Sequence, residues 1–253
     1  VINNEKWSLN NDALVRVSKG KIYINNLLLN QGQQSVKLDG ILSNENDKLN
    51  LLFNKFSLSS LNGITTPFGI NLKGYLNGNI ALNSIFKNPI ASASIKTTPI
   101  IYNDIPIGQL DLEAQFDPLT GIANLGINLL DERNRGIKLH GDYNFLVEQD
   151  PLNLQGQLNE VDLILFQPLL KNLVSNLSGT TNADLTILGS LKKPKISGLG
   201  RFKNTEFVVN YLKTPYSVDN QLAIVENNTI ILQNFIINDS KGHQASANGI
   251  LNL

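Results

Sequence analysis

The sequence predicts an all-β fold, an antiparallel sheet assembled from repeats of about 100 residues and interrupted by one amphipathic helix near 164–178. Three observations lead there. One strand phrase is written three times, as SVKLDGILSN at 35–44, GIKLHGDYNF at 136–145 and QASANGILNL at 244–253. Apolar and polar residues alternate with a period of two over most of the chain, and turn signals fall at short intervals between the alternating runs.

The strands follow in chain order. In 35–44, Val36, Leu38, Gly40 and Leu42 share one face, and Ser35, Lys37 and Asp39 share the other. Ile70 to Leu82 alternates with Asn71 to Asn83, which reads as a long half-buried strand with glycines at 74 and 78 where it can bend. Leu110, Leu112, Ala114 and Phe116 oppose Asp111, Glu113 and Gln115, and Ile137, Leu139, Gly141 and Tyr143 oppose Lys138, His140 and Asp142. Leu185 and Ile187 share a face with Ala183, Gly189 and Leu191. One apolar and one wet face favour antiparallel pairing. Asn44-Glu45-Asn46-Asp47, Asp117-Pro118, Asp150-Pro151 and Glu226-Asn227-Asn228 supply the turns. In 164–178, Phe166, Leu169, Leu170, Leu173 and Leu177 recur at helical spacing, Pro168 suits a first turn and Gly179 a stop. That predicts an amphipathic helix capping the apolar face; the matching stretch at 57–69 is expected to hold at best a helical turn.

Gly40, Gly141 and Gly249 are 101 and 108 residues apart, and FKNPIASASI at 86–95 lies over LKKPKISGLG at 191–200 in the same step. Boundaries near 43 and 144 follow: the end of a truncated repeat at 1–42, then full repeats at 43–143 and 144–253, stacked on a continuous interior. A sheet that curls lengthwise crowds its concave face, and the repeated glycines are expected there to relieve it.

Composition excludes several function classes. Lys+Arg and Asp+Glu are both 21 and the pI is about 6.9, so no global field gathers nucleic acid or an anionic membrane. With no cysteine there is no disulfide, thiolate nucleophile or Cys-bound zinc. No apolar run reaches the roughly 18 residues of a membrane helix, and the opening VINNEKW has neither a signal-peptide pattern nor an initiator methionine, as expected of a piece of something longer. His140 and His243 follow the wet face without convergent partners. The run Asp131 to Arg135 reads as a charged turn, and Lys192-Lys193-Pro194-Lys195 as a turn whose lysines discourage edge pairing. No phosphate loop, nucleophile elbow or metal motif is present, so neither an enzyme nor a cofactor or metal site is expected.

The succession GTTNADLTILGSLKKPKISGLGRFKNTEFVVNYLKTPYSV, followed by NTIILQNFIINDSKGHQASANGILNL, resembles the periplasmic repeats of the TamB family, within the wider AsmA-like group. The stretch VDLILFQPLLKNLVSNLSG resembles the family's spacer before such a segment. The likeness covers 144–253 and, more loosely, 43–143. It implies an elongated β-taco, a curved sheet whose apolar trough runs through the periplasm from an inner-membrane anchor towards an outer-membrane insertase partner, both carried by parts of the family absent here. The trough would shield phospholipid acyl chains, lined by Leu38, Leu42, Leu72, Ile80, Leu112 and Phe116 in the first part of the chain. Leu139, Tyr143, Leu185, Ile187, Phe202 and Leu251 continue it. The alternative expectation is a scaffold whose strand edges dock outer-membrane protein strands.

Overall fold

The computed structural model describes residues 6–84 and 89–252. The start of the FKNPIASASI match, through Asn88, lies outside the described residues, as do the side chains of Phe68 and Leu169. Strands hold 69% of the chain, which settles the all-β class. Two compact units divide it, one of 1–132 with 142–146 and one of 133–141 with 147–253.

The first unit is an antiparallel meander. β1 (Ser8–Leu9) and β2 (Leu14–Ser18) pair with opposite ends of β3 (Lys21–Gln31), and β3 is followed by β4 (Gln34–Leu42) and β5 (Lys48–Ser57). A short side ladder joins β6 (Leu72–Lys73) to a later strand, while β7 (Tyr75–Asn83) continues the main sheet from β5. β8 (Ile90–Thr97) pairs with β7, and β9 (Ile100–Tyr102) is the partner of β6. β10 (Ile105–Asp117) serves both ladders, its start against β9 and its remainder between β8 and β11 (Ile122–Leu130). Tight turns close the hairpins: Lys19-Gly20, with φ of 51° and 73°, and Asn103-Asp104, with 45° and 68°, both take the left-handed backbone of a type I′ turn.

The second unit opens within β12 (Gly136–Asn144), a strand that spans the division between the units. β13 (Leu152–Asp162), β14 (Val174–Ser190) and β15 (Lys193–Val209) then run antiparallel. β15 is long enough to take two partners, β16 (Thr214–Val218) along its end and β17 (Gln221–Glu226) along its middle. Both hand on to β18 (Thr229–Asp239), which pairs with β19 (Gln244–Asn252). The core of this unit gathers on Val218, Ala223 and Phe235, with Phe202, Phe207, Ile230 and Leu232 packed around them.

Alternation alone would send half of each long strand's apolar residues into water, because several strands change phase midway. In β18, Ile230 and Leu232 give way to Phe235 and Ile237; in β5, Leu49, Leu51 and Phe53 give way to Phe56. Each change is a β-bulge, which inserts one residue and so keeps the apolar set on one face. The residues carrying the phase change, Asn26, Lys55, Glu160, Asn204 and Asn234, have φ of 50°, 47°, 46°, 47° and 50°. Their amides donate in turn to side-chain oxygens of Asp39, Asn77, Asn182, Asp219 and Asn248 at 2.8–3.0 Å. A bulge breaks the ladder, and these Asx side chains restore the lost backbone partner.

Gly40 and Gly141 have φ of 132° and 149°, a region closed to other residues, and a Cβ on either would stand 2.1 Å from the carbonyl oxygen of Lys48 or Asn153. The crowding they relieve is therefore the backbone of the next strand and not side chains on a concave face. Gly249, in the matching strand β19, has no such φ and nothing within 4 Å of a Cβ.

The predicted helix over 164–178 is corrected. A 3₁₀ turn at Leu163–Phe166 passes into one helical turn at Gln167–Leu170, and from Val174 the chain is strand. Asp162 caps the start, its carboxylate accepting from the Ile164 amide at 3.2 Å, and Pro168 sits in the first turn. Helical spacing in VSNL loses to the ladder with β15, where Val174 and Ser175 pair with Val209 and Val208. The matching stretch at 58–68 is likewise a chain of short helical turns.

Candidate functional site

In the first unit the sheet register lines up rows of apolar residues that cross every main strand. One row runs Leu27, Leu38, Leu51, Ile80, Ala93, Ala114, Leu125, and the next Leu29, Val36, Phe53, Gly78, Ile95, Leu112, Ile127. Phe116 lies one row further, across from Ala91 and Ala123, and meets Phe145 edge to face at 5.2 Å; Phe145 in turn meets Tyr143 at 4.7 Å. Leu42 pairs with Ile22 at the end of β4. Leu72 stands apart from these rows, opposite Tyr102 in the side ladder.

The second unit repeats the arrangement. Gly156, Leu185, Gly198, Val225, Ile230 and Leu251 form one row, and the side chain of Leu139 lies over Gly156, 2.8 Å from where a Cβ would be. Ile187 sits between Leu154 and Ile196, while Phe202 contacts Phe235 edge to face at 5.9 Å. Every one of the predicted lining residues, from Leu38 to Leu251, is partly buried: none is sealed and none is fully exposed.

Alternation did not reach Leu49, Leu51, Phe53 and Phe235, which share the apolar faces; the phase change within each strand is the signal that finds them. Of the predicted capping residues, Phe166 and Leu170 are half-buried next to the helical turn, Leu173 is exposed, and Leu177 is buried as part of β14, its amide donating to the Gln167 side chain at 2.9 Å. The side chain of Leu169 lies outside the described residues.

The opposite face is polar. Lys96 pairs with Asp111 at 2.9 Å, which raises the lysine pKa, and Ser94 donates to Glu113 at 2.6 Å. A depression of about 440 Å³ on this face is lined by Asn79, Ser92, Glu113, Gln115 and Asn124, side chains that offer no apolar enclosure. The lysine run forms the β14–β15 turn, where Lys195 pairs with Asp150 at 2.8 Å; since β15 is paired there, these lysines guard no edge. His140 is exposed, and His243 is 2.8 Å from Asp239, whose pKa the imidazole and its amide lower. Among the described residues no three His, Cys, Asp or Glu side chains cluster as metal ligands, and no helix is long and apolar enough to cross a membrane.

The arrangement therefore offers an apolar surface and open strand edges. Comparison with protein families, with curated proteins and with solved structures finds no match.

Proposed function

We propose that this chain is a piece of a TamB-like envelope protein, in the wider AsmA-like group, whose apolar face forms a groove that shields lipid acyl chains and conducts phospholipid between the inner and outer membranes. The observation that carries the reading is the partial burial of the aliphatic rows: Leu38, Ile80, Leu112, Leu185 and Ile187 keep apolar surface in reach of a ligand. Each methylene taken from water contributes about 0.8 kcal/mol, so ten half-covered methylenes give about 4 kcal/mol, enough to hold a chain and little enough to let it slide. Headgroups stay in solvent, and no residue is required to do chemistry. The compartment is the periplasm, with an inner-membrane anchor and an outer-membrane insertase partner belonging to the full-length protein, as the resemblance implies.

The second reading is a scaffold that docks protein strands along its edges, favoured by β19, which pairs only with β18 among the described residues. Gentle purification followed by native mass spectrometry and lipid extraction separates the two. The groove reading expects co-purified phospholipid and saturable uptake of a fluorescent fatty acid. Absence of both leaves the scaffold.

A further inference from the structure

We infer that the open edge of β19 is a docking site for an antiparallel strand of the β5 or β13 type, with Gly249 as the point its backbone crosses. The inference deepens the strand-edge reading and is independent of whether the apolar face holds lipid.

Two independent alignments place Gly249 at the position of Gly40. The first is the strand order: β4 follows β3 as β19 follows β18, and Gly40 pairs with Ile24 as Gly249 pairs with Leu232. The second is the bulge beside each glycine. Asp39 accepts from the amide of Asn26 and Asn248 from that of Asn234, so in both strands the capping residue directly precedes the glycine. At Gly40 the space of the missing Cβ holds the Lys48 carbonyl oxygen at 2.1 Å, and at Gly141 it holds that of Asn153 at 2.1 Å. In both cases the backbone filling that space belongs to the strand that follows. At Gly249 the space is empty, and the backbone there is not left-handed. A glycine is of no use to β19 by itself; it fits a strand that lies against it.

The rest of β19 specifies the occupant. Its apolar face is small, Ala245, Ala247 and Gly249, where β4 carries Val36, Leu38 and Gly40. Bulky side chains must therefore come from the incoming strand. β5 supplies Leu49, Leu51 and Phe53 opposite Gly40, Leu38 and Val36, and Leu154 is the residue nearest Gly141 from β13. The partner is thus an extended segment with leucine-sized residues at alternate positions, contributed by another repeat of this kind or by a protein with such an edge. Most of β19 is exposed, Ile250 at 71%, whereas all of β4 is at least partly covered.

The test uses a fluorescein-labelled peptide of the β13 sequence LNLQGQLNEVD and the intact chain, with binding read by fluorescence anisotropy. Because nothing lies near the Cβ position of Gly249, Gly249→Val is expected to fold with an unchanged thermal melt and to bind the peptide at least tenfold more weakly. The same peptide N-methylated at alternate amides is expected not to bind the wild-type chain, a result that does not depend on how the variant folds. Equal binding by wild type and Gly249→Val overturns the site while leaving strand docking elsewhere; no binding by the wild-type chain overturns the strand-edge reading as well.

Discussion

Gly141 and Gly249 stand in matching strands, yet only Gly141 is held at a φ of 149° against the Asn153 carbonyl. Gly141→Ala is expected to destabilise by about 2–4 kcal/mol, from backbone strain together with displacement of β13, and Gly249→Ala by less than about 0.5 kcal/mol. Urea unfolding of the two variants checks the difference. A second single-residue effect follows from Asp47, which accepts from Lys21 at 2.8 Å and from the buried hydroxyl of Ser43 at 2.7 Å. These bonds, that of Lys21 first, lower the aspartate pKa below its ordinary 3.8, and the two carboxylates on Lys21 raise the lysine above its ordinary 10.5. A lowered acid contributes stability above its unfolded value and loses it as pH falls through the folded one; a raised base contributes below its unfolded value and loses it as pH rises through the folded one. The cluster is therefore fully effective from about pH 4 to about pH 10. Asp47→Asn is expected to lower stability at pH 7 and to flatten the loss below pH 4, read from denaturant midpoints across that range; an unchanged acid limb contradicts it.

The bulges show which elements were legible in the sequence. Strands such as β4, β8 and β11 keep one phase throughout, so their apolar faces, with Leu38 and Leu42 among them, could be read directly. In KIYINNLLLNQ or LNLQGQLNEVD the phase changes at Asn26 or Glu160, and a single-period reading loses the far half. The partners of those bulges lie on neighbouring strands, Asp39 and Asn182, 13 and 22 residues away, which no local pattern contains. The helix over 164–178 failed for a related reason. Phe166, Leu170, Val174 and Leu177 fit a helical stripe, but a bulge at Asn176, φ 53°, and long pairing with β15 draw the last two into a strand. Removing one bulge acceptor by Asn182→Ala is expected to cost about 1 kcal/mol, with faster hydrogen exchange of the Glu160 amide. Exchange at Glu160 as slow as in the wild type contradicts the capping role.

For the molecule as a whole, the central claim is that the apolar face is open and lies in reach of an acyl chain. The paired positions Ile187 and Thr186 test it within one strand, since Ile187 lies between Leu154 and Ile196 on the apolar face and Thr186 faces Gln155 on the other, its hydroxyl 3.2 Å from the glutamine oxygen. Against an open groove, a lysine at 187 lays its stem along the wall and keeps its ammonium in water, so folding survives while chain binding is lost. In a sealed interior the same charge goes unpaired and costs several kcal/mol. The most direct measurement is a thermal melt combined with fluorescent fatty-acid titration of Ile187→Lys and Thr186→Lys. The account predicts that both variants melt close to the wild type and that Ile187→Lys alone binds the probe at least tenfold more weakly; unfolding of Ile187→Lys, or probe binding equal to that of the wild type, contradicts it.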